Sequence, residues 1–166
     1  MNESNPIKKT LLIGIGNSGR SDDALGWKFL EIFSSFDELF DFEYRYQLQI
    51  EDADLISRYD TVIFVDASHK PVEHGVAFYP CTPSPTTSFT THRLDPETVL
   101  WLSRDLFGVT VTGYIMAIEG SEWELRHGLS KPAEDNLHKA TSIFMDHISE
   151  TYLAYPTLDI PFRKFP

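Results

Sequence analysis

Asp23, Asp66 and His92 are three polar residues whose side chains could bind one metal ion. Asp23 lies in the loop after the apolar run TLLIGI, Asp66 ends the run VIFV, and His92 lies in a long segment rich in Pro, Ser and Thr. Two carboxylates and an imidazole suit a borderline divalent ion such as nickel or zinc, and they leave coordination positions open for a substrate atom. The residue types therefore predict a metal site with incomplete coordination.

Each of these side chains also has a simpler interpretation when it is taken alone. A carboxylate at a helix N-terminus can act as a cap, which is the favoured interpretation for Asp22, and a cap needs only one carboxylate, so Asp23 is available for other work. Asp66 follows an apolar run and would be partly desolvated unless it is paired, bound to metal or used as a cap. His92 alone is uninformative, so the prediction depends on the three residues acting together.

The loop that precedes Asp22 contains Gly14, Gly16 and Gly19 in the spacing of a dinucleotide-binding fingerprint. A pyrophosphate would need an uncharged helix start and an acidic residue about 20 positions further on, at the end of the second strand. This helix opens with two carboxylates instead, so nucleotide binding is disfavoured. We interpret Gly14, Gly16 and Asn17 as residues that shape the turn, because glycine adopts backbone conformations closed to other residues and an asparagine side chain can brace the neighbouring loop.

Apolar runs alternate with helical patterns along the chain. Strands are predicted at 10–15, 42–50, 61–68, 75–80 and 109–118, and helices at 24–33, 51–59, 95–107 and 132–153. Ser21 or Asp22 is predicted to cap the first helix, and Asp95 with Pro96 to begin the third. This order predicts an α/β fold of three layers, a mainly parallel twisted sheet of about five strands with helices on both faces.

A site in such a sheet belongs at the carboxyl ends of the strands, where the loops converge. The loop with Asp23, the end of the third strand with Asp66, and the long loop with His92 all fall at that rim. Trp123 is expected to be exposed in its loop, where it could contact a partner. The histidines at 69, 74, 127, 138 and 147 show no ligand spacing, although His74 and His127 could support the site from nearby loops.

Composition limits the function classes. The chain has 166 residues, 42% of them hydrophobic, which predicts a single domain over 1–166 with a substantial core. A formal net charge of -11 opposes binding to nucleic acid. One cysteine, Cys81, permits neither an intrachain disulfide nor a thiolate metal cage, and no segment is apolar enough for a membrane span or signal peptide. We expect a cytoplasmic protein.

The motifs resemble those of the nickel–iron hydrogenase maturation proteases. GIGNSGRSDDALGWKF is similar to the opening motif of that family, in which a glycine-rich turn with asparagine precedes two acidic residues and a glycine. VIFVDAS resembles the strand that ends in a metal-binding aspartate, and TTHRLDPETVLWL resembles the segment with a metal-binding histidine. AIEGSEWELRHGLS is similar to the segment before the last helix, with Ala117 and Gly120 in place of the usual glycine and proline. The resemblance covers about 9–150 and leaves the proline-rich tail, 152–166, outside.

This resemblance implies a phosphorylase/hydrolase-like α/β fold and an endopeptidase that removes a C-terminal extension from the hydrogenase large-subunit precursor after nickel insertion. It implies Asp23, Asp66 and His92 as metal ligands, with nickel supplied by the substrate and with zinc or cadmium as substitutes. The same residues are the candidates for catalysis, because the ion would fix the scissile region and polarise a carbonyl or a water while Asp23 or Asp66 assists proton transfer. No Ser-His-Asp or Cys-His arrangement is evident around Ser18, Ser68 or Cys81.

Two other functions fit part of the sequence. LLIGIGNSG also resembles the first strand and turn of bacterial peptidyl-tRNA hydrolases, but the histidine and asparagine which that family needs are absent near Asp22 and Asp23, and the acidity opposes tRNA. A non-catalytic nickel-sensing module, or a chaperone for a metalloenzyme precursor, would use the same ligands as the peptidase. A cleavage assay distinguishes this non-catalytic module from the peptidase.

Overall fold

A five-stranded sheet forms the centre of the molecule in the computed structural model, which describes residues 10–85 and 94–152. Its strands are β1 Thr10–Ile15, β2 Phe40–Arg45, β3 Thr61–Ser68, β4 Val76–Cys81 and β5 Thr112–Glu119. The strand order is β2-β1-β3-β5-β4, and only β4 runs antiparallel to its neighbour. The predicted mainly parallel α/β sheet is confirmed.

The main helices are α1 Leu25–Phe33, α2 Glu51–Ile56, α3 Pro96–Phe107 and α4 Lys131–Tyr152, and a short 3-10 helix, Ser21–Ala24, leads into α1. Pro96 opens α3 at the first helical position as predicted, and Gly108 ends it in the left-handed conformation. Among the described residues, none of the helices combines the length and the apolar character that crossing a membrane requires.

Side chains alternate between the two faces of the sheet and form two separate cores. In β1, Leu12 joins a core with α1 and α4, whereas Leu11 and Ile13 join a core with α2 and α3. The same alternation holds in β3, where Ile63 belongs to the first core and Phe64 to the second. Burial on both faces explains why β1 and β3 are continuously apolar in sequence.

Two local predictions are wrong. The strand predicted at 42–50 begins at Phe40 and ends at Arg45, because the chain then turns and buries Leu48 beneath a short antiparallel bridge to Leu94. No side chain caps the Ser21–Ala24 helix or α1; Asp22 lies inside that first helix and its carboxylate bonds elsewhere. Asp95 occupies the N-cap position of α3 without a side-chain capping bond.

Candidate functional site

The carboxyl ends of β1, β2 and β3 meet at one rim of the sheet, because these strands are parallel neighbours. The turn after β1 begins at Gly16, whose φ of 144° is a conformation that residues with side chains rarely adopt. A Cβ atom at Gly16 would lie 1.8 Å from the carbonyl oxygen of Asp23, and that oxygen accepts a hydrogen bond from the Asn17 amide at 3.1 Å. The turn therefore fixes the Asp23 backbone directly above the end of β1.

Several amides of this turn are already bonded within the protein. Gly16 N–H donates to the Arg45 carbonyl at 2.9 Å, Gly19 N–H donates to the Asn17 side-chain oxygen at 2.9 Å, and Arg20 N–H donates to the Asn17 carbonyl at 3.1 Å. A pyrophosphate would need such N–H groups as donors. Their pairing, together with the carboxylates that follow, agrees with the disfavoured nucleotide interpretation. Gly14 lies within β1, where a Cβ would approach the Gly26 carbonyl oxygen to 2.7 Å.

Asp22 is fully buried, and its carboxylate holds the segment 120–130, here called the β5–α4 loop. One oxygen accepts from the Ser130 amide at 2.7 Å; the other accepts from the Ser121 and Glu122 amides at 2.7 and 2.9 Å and from the Ser130 hydroxyl at 2.7 Å. Burial alone would raise the pKa of Asp22, but these hydrogen bonds outweigh burial and lower it. This carboxylate is committed to the loop.

Asp23 is half-buried and lines an open cleft of about 220 Å³ together with Arg20, His69 and Trp123. The His69 and Trp123 rings stack, with centroids 3.4 Å apart and an angle of 18° between the planes. Trp123 is half-buried, so the expectation of an exposed Trp123 is wrong. Sequence patterns missed His69 and Arg20, because nothing in their spacing relates them to Asp23.

Asp66 is half-buried near the end of β3, and its Oδ1 accepts a hydrogen bond from the Ala67 amide at 2.8 Å. A close approach of α1 brings this part of β3 near the Asp23 turn. A Cβ at Gly26 would lie 2.5 Å from the carbonyl oxygens of both Ile15 and Val65, so the first turn of α1 sits directly on the ends of β1 and β3. The short helix that contains Asp23 leads into this turn of α1, and Asp66 directly follows Val65 in β3, so the two chain segments approach each other here.

The third predicted ligand, His92, lies outside the described residues. Leu94, two positions further along, forms its bridge to Leu48 with an amide-to-carbonyl distance of 3.4 Å, beyond the carboxyl end of β2. Within 10–85 and 94–152, no group of three or more His, Cys, Asp or Glu side chains is arranged to hold a metal ion. The complete three-residue site stays a prediction.

The candidate nucleophiles are poorly placed for covalent catalysis. Cys81 is buried at the end of β4, and burial together with the charge of Glu97 raises the pKa of its thiol to about 12. The Ser68 hydroxyl donates to the Lys70 carbonyl at 2.8 Å. His127 contacts Ser18 through the serine carbonyl oxygen, at 3.2 Å, so the imidazole faces the backbone of that residue. A thiol with so high a pKa holds little of the reactive thiolate at neutral pH.

The sequence matches no protein-family model and no curated protein, whereas the fold matches solved structures. The hydrogenase maturating endopeptidase HybD from E. coli superposes with a TM-score of 0.66 at 16% identity, over 87% of this chain and 94% of that one. The NiFe hydrogenase maturation protease HycI from Thermococcus kodakarensis KOD1 gives 0.63 at 19% identity, over 86% and 93%. The hydrogenase 2 maturation peptidase from a Thaumarchaeota archaeon gives 0.61 at 18% identity, over 85% and 98%.

These superpositions extend over most of this chain and over almost the whole of each solved structure. At such low identity the similarity establishes the fold. The described chain therefore has the fold of the hydrogenase maturation endopeptidases.

Proposed function

We propose that this chain is an endopeptidase that removes the C-terminal extension from the large-subunit precursor of a nickel–iron hydrogenase after nickel has been inserted. One observation carries the proposal: Asp23 opens into a cleft beyond the carboxyl end of β1, and the neighbouring strand β3 carries Asp66, in a fold shared with structures named as hydrogenase maturation proteases. The fold alone would not specify a reaction, so the rim carboxylates are the chemical part of the argument. We expect the reaction to take place in the cytoplasm.

The donor chemistry supports a borderline divalent ion. Asp23, in the short helix after β1, and Asp66, in β3, would supply carboxylate oxygens, and His92 would supply an imidazole nitrogen. In this proposal the ion is the nickel already carried by the precursor, so it is part of the substrate. An incompletely coordinated ion on the protease side suits that role, because the precursor itself would fill the remaining positions. Zinc or cadmium would substitute at the same donors.

The work left to this chain is to hold the loaded precursor and to move protons. Asp23 and Asp66 anchor the nickel of the precursor so that the scissile peptide lies along the cleft beside Asp23. The nickel of the substrate would polarise the scissile carbonyl or a water. One of the two aspartates would accept a proton from the attacking water and pass it to the amine of the leaving C-terminal fragment as the C–N bond breaks. The raised pKa of the Cys81 thiol argues against an alternative route through a thiolate.

The proposal is tested with purified precursor, loaded with nickel or left empty, and the wild-type chain. We expect a C-terminal fragment only from the loaded precursor. Asp23→Asn, Asp66→Asn and His92→Ala should each lower the rate by at least about 100-fold, the scale of lost positioning and proton transfer. Asp105→Asn makes the same chemical change on an exposed turn of α3, distant from the cleft, and should cleave at the wild-type rate.

Two results would contradict the proposal. Full processing by the Asp23 and His92 variants would remove the metal-anchoring role of these residues. A stable complex between the wild-type chain and the loaded precursor that never yields product would instead indicate a nickel-sensing binding module or chaperone.

A further inference from the structure

One wall of the Asp23 cleft consists of two stacked rings that come from separate parts of the chain. His69 directly follows β3, and Trp123 lies in the β5–α4 loop. His69 is exposed and Trp123 is half-buried, so solvent can reach the pair from the cleft. The stacked pair therefore forms an aromatic part of the cleft lining beside Asp23.

The protein itself fixes the position of Trp123. Gly120 leaves room for the indole, since a Cβ there would lie 2.7 Å from Trp123 Cη2 and 2.8 Å from Asp22 Cβ. The Ser121 and Glu122 amides, immediately before Trp123, donate to the buried Asp22 carboxylate. The Trp123 amide donates to a Glu124 carboxylate oxygen at 3.1 Å. A ring held in this way is in place before any ligand arrives, which lowers the entropic cost of binding.

The groups around the wall suit a polypeptide ligand. The cleft offers the Asp23 carboxylate as an acceptor and the exposed Arg20 guanidinium as a donor, so both kinds of main-chain polar group can find a partner. The two rings add a surface that favours another flat group, because offset stacking adds to the gain from burial. A deep apolar pocket for a small hydrophobic molecule would lack both charged groups.

We propose that Trp123, supported by His69, is a specificity-determining residue that binds a flat side chain of the precursor next to the scissile bond. This inference rests on the proposed peptidase function and adds a binding surface to it. The rings contribute to precursor binding, and the rim carboxylates contribute to the reaction. Loss of the rings should therefore change KM and leave kcat nearly unchanged.

The experiment measures kcat and KM on nickel-loaded precursor for variants of both rings. Trp123→Ala should raise KM roughly 3- to 10-fold, the range that corresponds to one aromatic contact, and keep kcat within about twofold. His69→Ala should raise KM by a smaller factor. His69→Phe and Trp123→Phe keep flat rings and should stay near the wild-type KM. Leu106→Ala removes an exposed apolar side chain near the C-terminal end of α3 and serves as the control.

Each outcome decides the inference. An unchanged KM in Trp123→Ala, with melting and circular dichroism like the wild type, would overturn it. A loss of kcat in His69→Phe equal to that in His69→Ala would also overturn it, because His69 would then act by proton transfer or metal binding. Where the wild type binds the precursor without cleaving it, the peptidase proposal fails, and the ratio of the variant and wild-type Kd values decides the role of the rings. Absence of both binding and cleavage would end both proposals.

Discussion

Adjacent carboxylates at 22 and 23 do different work because their surroundings differ. Asp22 is buried and accepts hydrogen bonds from three residues of the β5–α4 loop, whereas Asp23 faces the cleft. The bonds to Asp22 are charge-assisted, which makes them stronger than bonds between neutral groups. Asp22 thus stabilises the loop that carries Trp123, and its neighbour stays available to the proposed substrate.

Replacing Asp22 by Asn should destabilise the protein by about 2–4 kcal/mol, because the amide nitrogen cannot accept the bonds and leaves buried donors unpaired. Ser130→Ala removes one hydroxyl donor to Asp22 and the acceptor of the Ala133 amide at the start of α4, and it should cost about 1 kcal/mol, so it serves as the comparison. Urea unfolding at neutral pH measures both values. Equal destabilisation of the two variants would contradict the central role of the Asp22 carboxylate.

The stability difference between the wild type and Asp22→Asn should also depend on pH. The hydrogen bonds lower the pKa of Asp22 from its ordinary value of 3.8, so the stabilisation by its charged form is present above 3.8 and is lost as the pH falls through the lower folded value. The variant lacks this group. The unfolding free energies of the wild type and of Asp22→Asn, measured between about pH 6 and about pH 3, should therefore approach each other as the pH falls. A difference that stays constant with pH would refute the assignment.

At the scale of elements, the first turn of α1 lies against the ends of β1 and β3 with no side chain between them. Gly26 makes this contact possible, since a Cβ there would meet the carbonyl oxygens of Ile15 and Val65 at 2.5 Å. The contact brings the turn with Asp23 over the strand that carries Asp66. The helix position is therefore a structural requirement of the candidate site.

Gly26→Ala tests this requirement, because helix propensity and packing predict opposite signs. Propensity alone would favour alanine by about 1 kcal/mol. Overpacking against two backbone carbonyls should instead destabilise the protein by about 1–3 kcal/mol and lower activity in the proposed assay. Lys28→Ala, at a half-buried position of the same helix, should change stability by less than about 0.5 kcal/mol. Stabilisation by Gly26→Ala in urea unfolding would show that the close contact is absent.

At the scale of the whole molecule, the sheet separates two cores that share every central strand. Phe144 of α4 is fully buried in the first core, where its ring lies 4.9 Å from that of Phe33 and 5.4 Å from that of Phe29. Trp101 of α3 lies on the other side of the molecule and is half-buried. Strands buried on both faces should couple the two cores into one cooperative unit.

Phe144→Ala should therefore destabilise the two cores together, by about 3–5 kcal/mol, the cost of truncating a large buried side chain. Trp101 fluorescence, measured in a background with Trp27 and Trp123 replaced by Phe, reports on the far side. In Phe144→Ala, the unfolding midpoint followed by Trp101 fluorescence should shift by as much as the midpoint followed by circular dichroism. Leu106→Ala, which changes an exposed side chain, controls for non-specific effects. An unmoved Trp101 transition would mean that the cores unfold independently.

Local sequence patterns predicted most of the elements, because the burial of each element leaves a recognisable pattern among neighbouring residues. The continuous apolar runs of β1 and β3 follow from burial on both faces, and α3 follows from its proline start and glycine end. The prediction for 42–50 is wrong in extent because its alternation continued past Arg45, where the chain already turns to bury Leu48. Caps at Ser21 or Asp22 are wrong because a distant loop uses the Asp22 carboxylate instead.

The sequence by itself determined the α/β class, the segments that become β1 and β3, and the positions of Asp23 shortly after β1 and of Asp66 near the end of β3, because each depends on neighbours within a few residues. Only the tertiary structure decided that Asp22 binds the β5–α4 loop, that β4 runs antiparallel beside β5, and that His69 stacks on Trp123. These features join residues far apart along the chain. Local periodicity carries no record of such pairs, since the packing of the whole sheet brings them together.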